Sequence, residues 1–250
     1  MYRILYQFPL SHYCEKARWM MDFKHLEYEV RNLFPGAHRL LSWWRAHSST
    51  VPLLKDGKEW IGDSTEMAFW LDARYPQNPL LPNDPLKRSK VAMLEEIADE
   101  GGVHLRRWIY GEILDRPEVM NVMLDSYPWA VPVKEFLWPV LQQGIRQLYR
   151  VTPDKTPKAL EKMLAIMSRL EQTLVDNGGR YLVGDKLTLA DIAAASLFAP
   201  LLAIPGTPWE SLTNRSPLFQ QVYEDTLRRP LGQWILRLYQ EERESKDNWR

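Results

Sequence analysis

Along the first eighty residues the apolar positions alternate between two periods. Tyr2 to Phe8 is short, rich in β-forming residues and closed by Pro9, so a strand is predicted there. From Ser11 to Lys24 the apolar residues recur at helical spacing, and Ser11 is placed to cap the first turn. Leu26 to Val30 alternates as a half-buried strand does, and strand, helix and strand in so short a span fit a parallel βαβ unit with the usual right-handed crossover. Ala37 to Ala46 is weakly helical. Val51 to Leu54 and Glu59 to Ile61 flank Lys55-Asp56-Gly57-Lys58, and Asp-Gly between apolar runs is a hairpin signal. Asp63-Ser64 then precedes Met67, Ala68, Trp70 and Leu71, a helix that Pro76 must stop. The order is β-α-β-α-β-β-α on a mixed sheet.

Beyond Tyr75 the pattern changes. Pro76, Pro79, Pro82 and Pro85 interrupt a stretch without periodicity, which reads as a stiff linker. We divide the chain into residues 1–77, a linker at 78–85, and an all-helical part at 86–250. Helical spacing covers Leu86 to Leu114, Val133 to Arg150, Pro157 to Val175, Thr188 to about Leu202, Pro217 to Leu227 and Leu231 to Arg243. Arg116 to Pro132, with three prolines, is expected to be a loop or a broken helix. Thr188 and Asp191 have capping-box spacing ahead of an apolar helix.

Composition narrows the function. The charges balance, 32 Lys and Arg against 32 Asp and Glu, so no global field favours nucleic acid or an anionic membrane. Charged residues interrupt every hydrophobic stretch before it reaches membrane-spanning length. The single cysteine, Cys14, cannot form an internal disulfide, and no leader pattern opens the sequence, so a soluble protein of the reducing cytoplasm is expected. Glycine-rich phosphate loops, His-Glu-x-x-His and clustered cysteines are absent from the sequence, and neither a metal nor a cofactor is expected. The basic C-terminus, Arg237 to Arg250, is interleaved with acids and reads as a solvated helix end.

Taken in order, Phe8-Pro-Leu-Ser11-His-Tyr-Cys-Glu-Lys-Ala-Arg18, Val51-Pro52 at a strand start, Asp63-Ser64 opening a helix and a proline linker into helices resemble the cytosolic glutathione transferases. The loop most resembles their serine-type branch, including the bacterial chi-like group. The resemblance spans nearly the whole chain and implies a thioredoxin-like domain that binds glutathione, followed by an all-helical domain that shapes a second pocket. It implies that Ser11 donates a hydrogen bond to the glutathione sulfur. A thiol with a pKa of about 8.5 is mostly protonated at neutral pH, so donors and a helix N-terminus that favour the anion raise the reactive fraction. Ser11 also suits a plain N-cap, and the two roles are compatible.

Tyr6, Tyr13 and Cys14 are the competing sulfur contacts. Cys14 stands second in a Ser-x-x-Cys pattern, which disfavours a dithiol redox pair, and reads as a small buried hydrophobe. His12 stands where the family often has proline, and its role is open. The resemblance further implies a cis bond at Val51-Pro52 with Val51 pairing to the cysteinyl part of glutathione, and the γ-glutamyl end at Asp63 and Ser64. His38 and Arg39 are candidates for a cation near the glycine carboxylate, with Trp43 as a possible wall. For the electrophile pocket, Tyr13, His104 and Trp108, with Ile97, Gly101 and Leu105, are the candidate lining. The function expected is attack by the glutathione thiolate on an isothiocyanate, aryl halide or organic hydroperoxide, as a homodimer in detoxification or stress response. The alternatives are a transferase-fold binding protein without turnover and a thiol reductase working through Cys14.

Overall fold

Four short strands pair into one sheet in the computed structural model, which describes residues 2–34, 36–47, 50–124, 127–210, 216–245 and 247–249. The first part of the chain runs β1 (Arg3–Gln7), α1 (His12–Phe23), β2 (Glu29–Asn32), α2 (Ala37–Ala46), β3 (Leu53–Asp56), β4 (Glu59–Gly62) and α3 (Ser64–Arg74). The strand order is β2-β1-β3-β4, with β1 parallel to β2 and the other two pairs antiparallel. Register places Leu5 opposite both Val30 and Leu54, and Leu54 opposite Ile61, so these four share one face. Leu5 and Leu54 are fully buried on it.

The second strand starts at Glu29 and not at the expected Leu26. The reason is local: the Leu26 N–H donates to the Met21 carbonyl at 3.0 Å, closing the end of α1 around His25 at φ 52°, so Leu26 belongs to the turn.

After the prolines come α4 (Pro85–Ile113), α5 (Pro117–Leu124), α6 (Lys134–Leu148), α7 (Lys155–Asp176), α8 (Leu189–Phe198), α9 (Pro217–Arg228) and α10 (Pro230–Glu241). α5 occupies part of the stretch expected to be loop or broken helix. Pro117 stands at its first position, where a missing N–H costs nothing, so the proline starts a helix there instead of breaking one. α8 is buried along its whole length and packs against α1 and α4. Its capping box is formed: Asp191 accepts from the Thr188 N–H at 2.8 Å and also from the Leu182 N–H at 2.7 Å. Among the described residues no helix is long and apolar enough to cross a membrane.

α1 is the joint of the molecule. Every residue from His12 to Met21 is buried, although Glu15, Lys16 and Arg18 are charged. Lys16 pairs with Glu95 of α4, and Thr65 donates to the same carboxylate at 2.6 Å. Arg18 donates to Glu15 at 2.6 Å and to Gln7. The remaining Glu15 oxygen accepts from Arg243 at 2.9 Å and from the Tyr239 hydroxyl at 3.2 Å.

The C-terminus is therefore not the solvated helix end that its composition suggests. Arg243 is 3% exposed and also pairs with Asp22, while Asn248 donates to Asp22 and Tyr28 at 2.8 Å each. Gln7 donates to the Trp249 carbonyl at 2.9 Å. The partners lie more than two hundred residues away in sequence, so no local pattern announces them.

Burial alone would push the Glu15 carboxyl up, but the charges of Arg243 and Arg18 and their hydrogen bonds hold it at about 2. A carboxyl depressed below its unfolded value stabilises the fold above that value, and the contribution is lost as pH falls through the folded one. Denaturant melts should therefore show Glu15-dependent stability falling between pH about 4.5 and about 2. Glu15→Gln, which leaves Arg18 buried without a counter-charge and Arg243 with Asp22 alone, should cost about 3–5 kcal/mol at pH 7. A melt at pH 7 that Glu15→Gln leaves unmoved would contradict this account.

Candidate functional site

The loop from β1 into α1 forms one wall of a cavity between the sheet and the helices. Ser11 has extended geometry, φ −80° and ψ 115°, and its Oγ accepts from the Cys14 N–H at 3.3 Å. The loop is held tight, since the Ser11 N–H donates to the Phe8 carbonyl at 3.1 Å. The capping bond occupies one lone pair of the hydroxyl, and its proton can turn to the Cys14 sulfur beside it or into the cavity. Ser11 thus stands at the N-terminus of a buried helix, where the aligned backbone favours negative charge.

Across the loop, the Val51-Pro52 bond is cis. Val51 lines the cavity just before the β3 ladder, which begins at Leu53. The opposite wall comes from α4, through Leu105, Arg106, Ile109, Tyr110 and Ile113. Tyr149 and Trp209 complete it, with the Trp209 Nε1–H donating to the Leu10 carbonyl at 3.2 Å. The non-atom space there is about 870 Å³ with the open solvent at its mouth included.

His12 and His38 also line this cavity, and both are neutral at pH 7. Burial, then the nearby charge of Arg106, depresses His12 well below the usual imidazole range. Its Nε2 has no hydrogen-bond partner among the described residues. Burial, then the charge of Arg39, lowers His38 to about 4. Its Nδ1 accepts from the Gly36 N–H at 3.1 Å, and its ring lies edge-on to Phe8 at 4.6 Å. His38 is therefore uncharged in the ligand-free protein, and the standing positive charge for a carboxylate is Arg39. Arg39 lines an adjoining recess with His38, Tyr110 and Tyr149.

Several other expected residues lie elsewhere. Asp63 caps α3, its carboxylate accepting from the Thr65 N–H at 2.7 Å and the Glu66 N–H at 3.3 Å, and Ser64 is buried beside it. Neither is in the wall that holds Ser11 and Val51. Trp43 is exposed on α2, outside both recesses. Tyr6 stacks on Trp60 of the sheet at 5.6 Å. Tyr13 donates its hydroxyl to the Asp99 carbonyl at 3.0 Å, and burial pushes its phenol far above the ordinary range. Cys14 is fully buried, and burial raises its thiol against the smaller opposing effect of Ser11 and the Phe8 backbone, so it presents no reactive thiolate to the cavity.

The α4 positions need the largest correction. Trp108 packs edge-on against Phe219 at 5.2 Å, and His104 lies 3.6 Å from Glu100; neither lines the cavity. α4 is buried on two sides, against α7 and α8 on one and along the cavity on the other, so hydrophobicity does not distinguish them. Of the expected α4 positions Leu105 does line the cavity, and the wall continues along its stripe through Ile109, one residue on from His104 and Trp108. Arg106, Tyr110, Tyr149 and Trp209 carry no sequence signal that separates them from ordinary helix surface or core.

Comparison with known proteins agrees with this geometry. Residues 5–79 match the family model described as the glutathione S-transferase N-terminal domain, and residues 137–230 that of the C-terminal domain. Glutathione S-transferase 1 of Dianthus caryophyllus is 34% identical over 194 residues, covering 76% of this chain and 73% of the relative. Glutathione S-transferase Z2 of Arabidopsis thaliana is 27% identical over the same length and shares. Among solved structures, a glutathione S-transferase of Methylobacterium radiotolerans in complex with glutathione sulfonate has the same fold. It superposes with a TM-score of 0.59 at 18% identity, covering 94% of this chain and 95% of that one.

The neutral histidines are directly measurable. An imidazole whose folded pKa lies below its unfolded value binds fewer protons when folded, so its burial makes stability rise with pH between about 4 and 6.5. NMR titration should show His38 protonating near pH 4, and an inflection of its ring shifts near 6.5 would overturn the assignment.

Proposed function

The chain is an enzyme of the glutathione S-transferase family, and within it we propose that Ser11 is the group that favours the glutathione thiolate. The observation that carries the reading is the placement of one hydroxyl, capping a buried helix and lining the cavity beside Val51, with an apolar wall of Leu105, Ile109 and Ile113 across from it. The Ser11 O–H donates to the sulfur, and the N-terminus of α1 adds its favourable field. The backbone of Val51 holds the cysteinyl part of the tripeptide. Arg39 answers the glycine carboxylate, and Asp63 with Ser64 takes the γ-glutamyl end at the start of α3.

The thiolate attacks an electrophile held against the α4 wall. Proximity supplies much of the acceleration, because a bound thiolate facing a bound electrophile turns a two-body encounter into a one-body step. Isothiocyanates, aryl halides and organic hydroperoxides fit an apolar wall of this kind. In this organisation residues 1–77 hold glutathione and the helices after the 78–85 linker hold the second substrate. We place the chain in the serine-type branch on Ser11; the relatives reported above support the family without singling out the chi-like group. A homodimer in the cytoplasm belongs to the same proposal.

The experiment is a conjugation assay with a neutral aryl halide. Ser11→Ala should lower kcat/KM by about 10- to 100-fold, the range for one hydrogen bond to a charged group. The same substitution should cost about 0.5–2 kcal/mol of stability as a lost cap. Turnover that Ser11→Ala leaves intact in a folded protein would remove Ser11 from the role. Loss of a glutathione-dependent thiol-reductase signal on Cys14→Ala, with Ser11→Ala silent, would revive the reductase alternative.

A further inference from the structure

Arg106 is a cation that the protein leaves unanswered. The other buried cations around α1 are matched: Lys16 by Glu95, Arg18 by Glu15, Lys24 by Asp72 at 2.8 Å and Arg243 by Glu15 and Asp22. Arg106 projects from the α4 wall into the cavity, half-buried. Among the described residues no carboxylate lies within ion-pair distance of it, and its Nε is buried without a hydrogen-bond acceptor. Its guanidinium lies over two aromatic rings instead, 4.2 Å from the centroid of Tyr149 and 5.1 Å from that of Tyr13.

Such stacking fixes the orientation of a guanidinium and offsets part of its desolvation, but it leaves the in-plane N–H donors unsatisfied. A buried donor without an acceptor costs free energy, and a charged one more. The surroundings offset it only at a distance. His12 and His38 are uncharged and Arg39 in the adjoining recess adds a second positive charge, while the Asp99 carboxyl, raised by burial to about 6, is still ionised at pH 7 but acts on Arg106 only through space, beyond ion-pair distance, and gives its N–H donors no acceptor. Beside Arg106 the α4 wall presents the apolar stripe of Leu105, Ile109 and Ile113, with Tyr110 next to it.

We propose that the second substrate carries an anionic group, a carboxylate on an otherwise apolar electrophile, and that Arg106 is the residue that selects it. Tyr13 and Tyr149 hold the guanidinium in the plane that receives the two carboxylate oxygens, and the apolar stripe of α4 receives the hydrocarbon part. The reaction rests on the transferase reading above; the binding preference does not.

The probes are 4-chloro-3-nitrobenzoate and its neutral counterpart 4-chloro-3-nitrobenzamide, each with glutathione. In both, the thiolate sulfur bonds to the ring carbon that bears chlorine, chloride leaves with the bonding pair, and the thiol proton passes to water. The wild-type protein should favour the benzoate by about tenfold in kcat/KM over the ratio of the uncatalysed reactions, the effect of one charge-assisted pair, expressed mainly in KM. Arg106→Met should abolish that preference and Arg106→Lys should keep part of it. A wild-type ratio equal to the uncatalysed one overturns the proposal without reference to any variant. Equal losses for both probes in Arg106→Met also overturn it, because they would make the arginine a general support of the thiolate. Should neither probe turn over, the transferase reading fails, and calorimetry of the two probes still decides this one. Tighter binding of the benzoate supports an anion-selective cavity, and equal affinities end it.

Discussion

α1 is a helix buried from His12 to Met21 that nonetheless carries four charges, Glu15, Lys16, Arg18 and Asp22, and the surrounding structure is arranged to neutralise them. Lys16 reaches Glu95 on α4, Arg18 reaches Glu15 one turn away, and Glu15 is answered a second time by Arg243 beyond α10. A buried charge without a partner costs several kcal/mol, so these pairs set how the sheet, α4 and the C-terminal segment must sit around α1. Apolar packing supplies the driving force through Trp19, Met20 and Met21, but it is non-directional. The ion pairs supply the direction. They fix the rotation of α1 about its own axis, and with it the direction in which its first turn faces.

That first turn is the functional end. Because α1 cannot rotate without breaking Glu15 or Lys16 from its partners, Ser11 is held with its Oγ on the Cys14 N–H and its position in the cavity wall set. Trp209 donates to the Leu10 carbonyl and so braces the loop that carries the hydroxyl, while Trp249 donates to the Gly206 carbonyl at 2.9 Å and ties the C-terminal segment to the turn before Trp209. The same burial that makes the joint rigid discharges the two histidines of the cavity. The field there is set by backbone, hydroxyl and arginine, and imidazole contributes none of it.

The pattern of apolar positions was enough to place α1, α2, the β3–β4 hairpin, α3 and the long helices, because each buries a single stripe or face whose period shows in the chain. The Ser11 loop, Val51-Pro52 and Asp63-Ser64 were legible for another reason: each is a local backbone device in which a few adjacent residues carry the whole signal. Leu26 was misjudged where a turn competed with a strand for the same N–H. Pro117 was read as a breaker in the one helical position where proline is harmless. His104 and Trp108 were assigned to the cavity because α4 is buried on two sides, and burial alone does not say against what.

What the chain determines by itself is therefore whatever depends on neighbours within about one helical turn or one hairpin: element type, caps, and the hydroxyl that opens α1. Only the tertiary structure decides which face of α4 meets the cavity, which charges find partners, and which ionisable groups lose their charge. Arg106 and Arg243 make the point together. Both are arginines in stretches of helical spacing, indistinguishable in pattern, yet one is matched by carboxylates more than two hundred residues away while the other is left facing the cavity. Electrostatic free energy depends on separation in space and on the removal of water, and neither quantity is written along the chain.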